Sequence, residues 1–293
     1  MMFHALFTPL WEVFSTPPFS EMIVSWNAPR LEKGGYHFAV SALTGNEWSA
    51  WVPYADWLSQ GQSGYKVDAG SIKVDQDVIS VREGNGFRIR VLGAAFAPDW
   101  AELHVYTNAK EVRLSEGACS LYQAPLAVQG RSQMCVAHLR AKDLCSPTST
   151  AAVIQFLSPG VHLNTAQFAD CVRDQTFDIF GNWVLNVAEA SARLGSTWAC
   201  WVERLDGLDA VAKILQQKIP VVVSIRGPLA GSALPYASGH LLVISGIDFD
   251  RQLVYCMDPA FSKDATTIVA YPLGDFVQAW DRRNRLAYRF SKR

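Results

Sequence analysis

The chain has 293 residues, 49% hydrophobic and 18% charged, with a formal net charge of −1. It is long enough for two domains and apolar enough for a substantial core, which excludes a mainly disordered chain. A near-neutral balance without a long basic block argues against a nucleic-acid partner, and no apolar run approaches the ~20 residues that span a bilayer.

Residues 1–26 contain no Lys or Arg, so the charged start of a secretory signal is absent. The expected compartment is the cytoplasm, or the outside if a leader has been trimmed. Cysteines 119, 135, 145, 171, 200 and 256 are widely spread, without a C-x-x-C pair. A zinc knuckle or thioredoxin motif is therefore not expected, and the reading is free thiols, mostly packed, with one exception.

From residue 22 to 106 the pattern is short strands, at 22–26, 36–41, 48–52, 87–92 and 101–106. Gly34-Gly35, Gly45-Asn46 and Gly84-Asn85-Gly86 punctuate them as turns. The last is read as a hairpin, since it lacks the third glycine and the following helix of a dinucleotide fingerprint. Many strands without a convincing helix predict an all-β sandwich over residues 1–122. Trp48, Trp51 and Trp57 fit either a platform for a sugar or peptide ligand or, more simply, core and rim.

Residues 123–133 read as a linker into a second domain, 123–293. Helices are predicted from Cys145 to the stop at Ser158-Pro159-Gly160, over 165–173, over 182–194 and around Leu208, Val211 and Leu215. Strands follow at 221–225, 241–246 and 252–257, which makes this domain α+β.

Cys145 directly precedes the first of these helices. Ser146 is the predicted N-cap and Pro147 suits the first turn. Unpaired N–H groups and the helix dipole favour thiolate there, and the thiolate is the nucleophile. His240 opens one strand and Asp258 closes the next, so a hairpin around residues 248–251 brings 240 opposite 258 to within about two positions. The aspartate would orient the imidazole, and the imidazole would hold the thiol proton. Taken singly, the three also suit a packed helix start, a strand-end histidine and a turn former before proline.

These residues resemble the C39-like cysteine peptidases, relatives of the bacteriocin-processing peptidases within the papain-like fold. The similarity rests on Cys145-Ser146-Pro147-Thr148-Ser149, Gly181-Asn182-Trp183 with Asn186, Pro220-Val221-Val222 before Ser224, Gly239-His240 and Asp258-Pro259. It implies Cys145 as nucleophile, His240 as general base and acid, and Asp258 as the orienting residue. It also implies a glutamine upstream of the cysteine in the oxyanion hole, for which Gln133 is the candidate. The gap from Gln133 to Cys145 is longer than in the processing peptidases, and Ser146 stands where they commonly carry glycine. The N-terminal sandwich is similar to accessory domains that precede such peptidases.

The expected function is peptide-bond hydrolysis through a thioester, without metal or organic cofactor. An amidase or acyltransferase would use the same triad. A catalytically silent protein that binds a glycan or peptide on its sandwich is the reading from another class.

Overall fold

The structure is a computed structural model and describes residues 1–109 and 124–293. The expected boundary at 122/123 lies outside the described residues, as does Cys119. By contacts the chain forms two compact units, Met1–Leu114 with Cys171–Val202, and Ser115–Asp170 with Glu203–Arg293.

The first unit is built on a ten-stranded antiparallel sheet: β1 (Met2–Leu6), β2 (Leu10–Val13), β3 (Phe19–Asn27), β4 (Gly35–Thr44), β5 (Glu47–Trp48), β6 (Val52–Leu58), β7 (Gln62–Asp68), β8 (Ile72–Gln76), β9 (Val78–Leu92) and β10 (Glu102–Thr107). The order runs β1-β10-β3-β9-β8-β7-β6-β4-β5, with β2 on β9 and a further β9–β4 ladder. Buried side chains of β3, β4, β6, β8, β9 and β10 form its core, where the Trp26 ring lies on Phe38 at 4.2 Å and meets Trp57 edge-on at 6.0 Å.

Gly45-Asn46 forms the expected two-residue hairpin between β4 and β5, with Thr44 opposite Glu47. Gly84-Asn85-Gly86 does not turn the chain. It lies inside β9, where the pairings with β3 and β4 both shift register. Its glycines serve close approach: a Cβ on Gly84 would meet the Phe19 ring at 2.7 Å, and one on Gly86 the Val13 carbonyl oxygen at 2.6 Å.

The remaining elements are α1 (Cys145–Leu157), α2 (Thr165–Val172), α3 (Trp183–Leu194), β11 (Trp198–Arg204), α4 (Leu208–Gln216), β12 (Val221–Ile225), β13 (His240–Asp248), β14 (Leu253–Met257), β15 (Ile268–Pro272), α5 (Leu273–Asp281) and β16 (Leu286–Lys292). Among the described residues, no helix is long and apolar enough to cross a membrane.

Helix α3 belongs to the first unit. Asn182 caps it through Leu185 N–H, and the buried Asp77 carboxylate accepts the N–H of Trp183 at 3.0 Å. α3 packs on β3, which explains why that strand is buried on both faces and does not alternate.

The second unit carries antiparallel strands in the order β16-β12-β13-β14-β15. β12 and β13 are buried along their whole length, and both contact α1 and α4. That burial on two faces is why both strands read as continuous Val/Ile/Leu runs.

Candidate active site

Helix α1 begins at Cys145 itself. Ser146 is not its cap, because the residue before the helix is Leu144 and no side chain caps it. The Ser146 hydroxyl instead bonds the Tyr288 hydroxyl on β16 at 2.8 Å, and Ser149 Oγ donates to the Leu241 carbonyl on β13 at 3.0 Å. Both contacts tie the first two turns of α1 to the sheet. Pro147 falls in that turn, where no intrahelical N–H is lost.

His240 opens β13. Across the ladder Val243 faces Met257, so Asp258 falls opposite Leu242, two residues from His240 on the same face. An extra residue at Ser245, between the Ile244 and Gly246 pairings, shifts the register by one. The His240 Nε2 lies 2.8 Å from Asp258 Oδ1. The Cys145 thiol hydrogen-bonds the same imidazole, whose remaining nitrogen is Nδ1. Sulfur, imidazole and carboxylate thus form one connected chain.

Burial alone would push the Cys145 thiol up, but its bond to His240, the charge of His240 and backbone N–H groups of Leu241 and Ser146 outweigh it, and the thiol sits below its ordinary range. Burial likewise disfavours imidazolium at His240. Asp258 and then Cys145 reverse this and raise His240 to about 9. Asp258 is buried, which opposes ionisation, yet His240, Tyr271 and Tyr236 hold it below the usual carboxylate range. The three shifts favour a thiolate–imidazolium pair beside a carboxylate. Cys145 itself keeps partial exposure to solvent.

Tyr236 and Tyr271 were not singled out from sequence. Each donates its hydroxyl to Asp258 Oδ2, at 2.7 and 2.6 Å, and Ala260 N–H donates to Oδ1 at 3.0 Å. The Tyr236 ring also stacks on the imidazole, with centroids 4.1 Å apart and planes 9° from parallel. Burial and the neighbouring carboxylate push both phenols up, so they stay protonated donors. Tyr236 has φ +50°, in the left-handed region, inside the Gly- and Ser-containing loop before Gly239. Nothing in its local sequence separates it from an ordinary loop residue.

Gln133 lies on the same unit and is buried, with its backbone N–H on the Pro259 carbonyl at 2.9 Å. Its Nε2 donates to the carbonyls of Ala141 and Lys142, at 3.1 and 2.6 Å, just ahead of Cys145. Its Oε1 is buried without a partner. Both amide hydrogens are therefore engaged on the backbone that leads into α1.

Elsewhere, His37 and Asp56 form another cross-strand pair at 2.7 Å, and His138 meets Asp170 at 3.3 Å. Among the described residues, Cys135, Cys145, Cys171, Cys200 and Cys256 are all free. Cys256 is buried, and burial with the charge of Asp258 pushes its thiol well up, the opposite of Cys145.

No curated protein matches the chain in a sequence search. Residues 125–288 match the model of the Peptidase_C39 like family, and with more than half of its length covered the chain belongs to that family.

Proposed function

We propose that the chain is a cysteine peptidase with Cys145 as nucleophile, His240 as general base and acid, and Asp258 as the orienting carboxylate. The observation that carries the reading is the hydrogen-bond chain from thiol through imidazole to a carboxylate that two tyrosines hold. Membership of the family supports the general class of chemistry. A helix with the nucleophile at its first residue, packed on an antiparallel strand that bears the base, supports the papain-like reading of residues 123–293. For the N-terminal residues, a sandwich is supported by β3 and β4, which do not pair yet meet through Trp26 and Phe38.

In this mechanism the Cys145 thiolate attacks the peptide carbonyl carbon and a C–S bond forms. The imidazolium of His240 gives its proton to the leaving nitrogen as the C–N bond breaks, leaving a thioester. Water then attacks the thioester, His240 takes its proton, and the acid product departs as the thiolate returns. Tyr236 and Tyr271 act as positioning residues, because they fix the carboxylate that fixes the ring.

Gln133 is the proposed side-chain donor to the oxyanion, alongside the Cys145 backbone N–H. That role requires one Nε2 hydrogen to leave its backbone carbonyl when substrate binds. Gln133→Ala is expected to lower kcat by about 10²- to 10³-fold while the alkylation rate of Cys145 stays as in the parent. An unchanged kcat would remove Gln133 from the mechanism.

The pH profile tests the reading as a whole. With a peptide library as substrate and new termini mapped by mass spectrometry, kcat/KM is expected to be bell-shaped. The acid limb reports protonation of the Cys145 thiolate, below the ordinary thiol range. The alkaline limb reports loss of the His240 proton near pH 9. Absence of cleavage at every pH contradicts peptidase activity. Acyl transfer to an added amine in place of water would move the assignment to an acyltransferase.

A further inference from the structure

The outer face of the N-terminal sheet carries a concavity of about 410 Å³, bounded by His37, Asp56, Tyr65, Trp51, Arg90 and Leu92. Its origin is local. In the cross-strand rows Leu92, His37 and Asp56 stand side by side, and next to them Arg90, Ala39 and Pro53. The short side chains of Ala39 and Pro53 leave a dip between longer neighbours, while Phe38, Val52 and Val91 point into the core.

The polar groups of this dip are unevenly matched. Asp56 has both oxygens engaged, Oδ1 by His37 Nδ1 and Oδ2 by the Tyr65 hydroxyl, each at 2.7 Å. The Arg90 guanidinium lies over the Trp51 ring at 4.2 Å, and among the described residues no carboxylate pairs with it. Arg88, its neighbour on the same face, stands at 4.5 Å from the same ring and is matched by Glu12 at 3.8 Å. An exposed cation thus stands over the ring beside Leu92, which is 59% exposed.

We propose that this concavity binds a peptide segment in which a carboxylate stands next to an aliphatic side chain. Arg90 would take the carboxylate in its planar fork, and Leu92 with Pro53 would cover the apolar group. A sugar fits less well. The Trp51 ring is already occupied by Arg88 and Arg90, and each oxygen of the carboxylate that would receive sugar hydroxyls already accepts one hydrogen bond. The inference uses only the first unit and stands whether or not Cys145 is catalytic.

The test uses the full chain carrying Cys145→Ala, so that a bound probe is not consumed. A fluorescein-labelled octapeptide of alternating leucine and glutamate is compared with its leucine–glutamine counterpart by fluorescence anisotropy. The acidic peptide is expected to bind at least about tenfold more tightly, with a preference that weakens as salt rises. Arg90→Gln and, separately, Leu92→Asp are each expected to abolish that preference. No binding, equal binding of the two peptides, or an affinity unchanged in both variants overturns the proposal. Binding of maltoheptaose in place of either peptide overturns it in favour of a glycan site.

Discussion

Cys145→Ala is expected to abolish peptide hydrolysis, lowering kcat by about 10³-fold or more, and to leave thermal unfolding nearly unchanged. The physical ground is that Cys145 is the first residue of α1 and is only half-buried. Its loss removes a polarised sulfur but opens no core cavity, since the turn is held by Ser146 on Tyr288 and Ser149 on Leu241. His240→Ala is expected to match it in activity, because a thiol without its imidazole returns toward the neutral form. The double variant is expected to be no worse than either single one, as groups that act as a unit are not additive. Each point is read from initial rates on a cleaved peptide and from the unfolding midpoint. Turnover that survives Cys145→Ala would remove the nucleophile from the account.

Asp258→Asn is the second large effect, and it should appear in both activity and stability. The carboxylate accepts from His240, Tyr236, Tyr271 and Ala260 N–H inside a buried setting. A carboxamide has one acceptor oxygen, so its NH₂ must face either the imidazole or the two phenols. Toward the imidazole it imposes the wrong tautomer; toward the phenols it forces them to turn. The imidazolium loses its charge partner in both cases. Turnover is expected to fall by about 10²- to 10⁴-fold and stability by about 1–3 kcal/mol. The sign of the pH effect follows: the charge of Asp258 helps raise His240 to about 9, so without it the alkaline limb moves down toward the ordinary histidine range. A limb that stays in place would show that Asp258 does not act through His240. Tyr236→Phe, which keeps the stacked ring and removes one donor, is the milder comparison.

The convergence of Cys145, His240 and Asp258 was the most legible feature of the second unit. A cysteine before an apolar run, a histidine opening one strand and an aspartate closing the next are local patterns, and hairpin geometry converts them into proximity. The estimate of two positions covered the extra residue at Ser245, which shifts the ladder by one. Cap chemistry was less legible: Ser146 has the right type for a cap, but Tyr288, 142 residues away, claims its hydroxyl. Tyr236 and Tyr271 were hidden for a similar reason, since their partner is fixed only once β13, β14 and β15 lie side by side.

In the first unit, β7 and β8 escaped notice because their outward residues are Lys66, Asp68, Lys73 and Asp75, and their apolar residues are too few to mark a strand. Gly84-Asn85-Gly86 has the composition of a turn but lies within a strand, because glycine and asparagine serve bulges and close backbone approach as well as turns. In the second unit α5 was overlooked, although Phe276, Ala279 and Trp280 show helical spacing, because Pro272 and Gly274 at its start look like loop.

The most direct test is the rate of Cys145 alkylation by iodoacetamide as a function of pH, followed by peptide mapping, in the parent chain and in His240→Ala. A thiolate held by imidazolium predicts labelling of Cys145 ahead of every other cysteine, persisting well below the ordinary thiol range and collapsing at neutral pH in His240→Ala. Labelling of Cys145 that rises only in the ordinary thiol range, and identically in His240→Ala, would contradict the account.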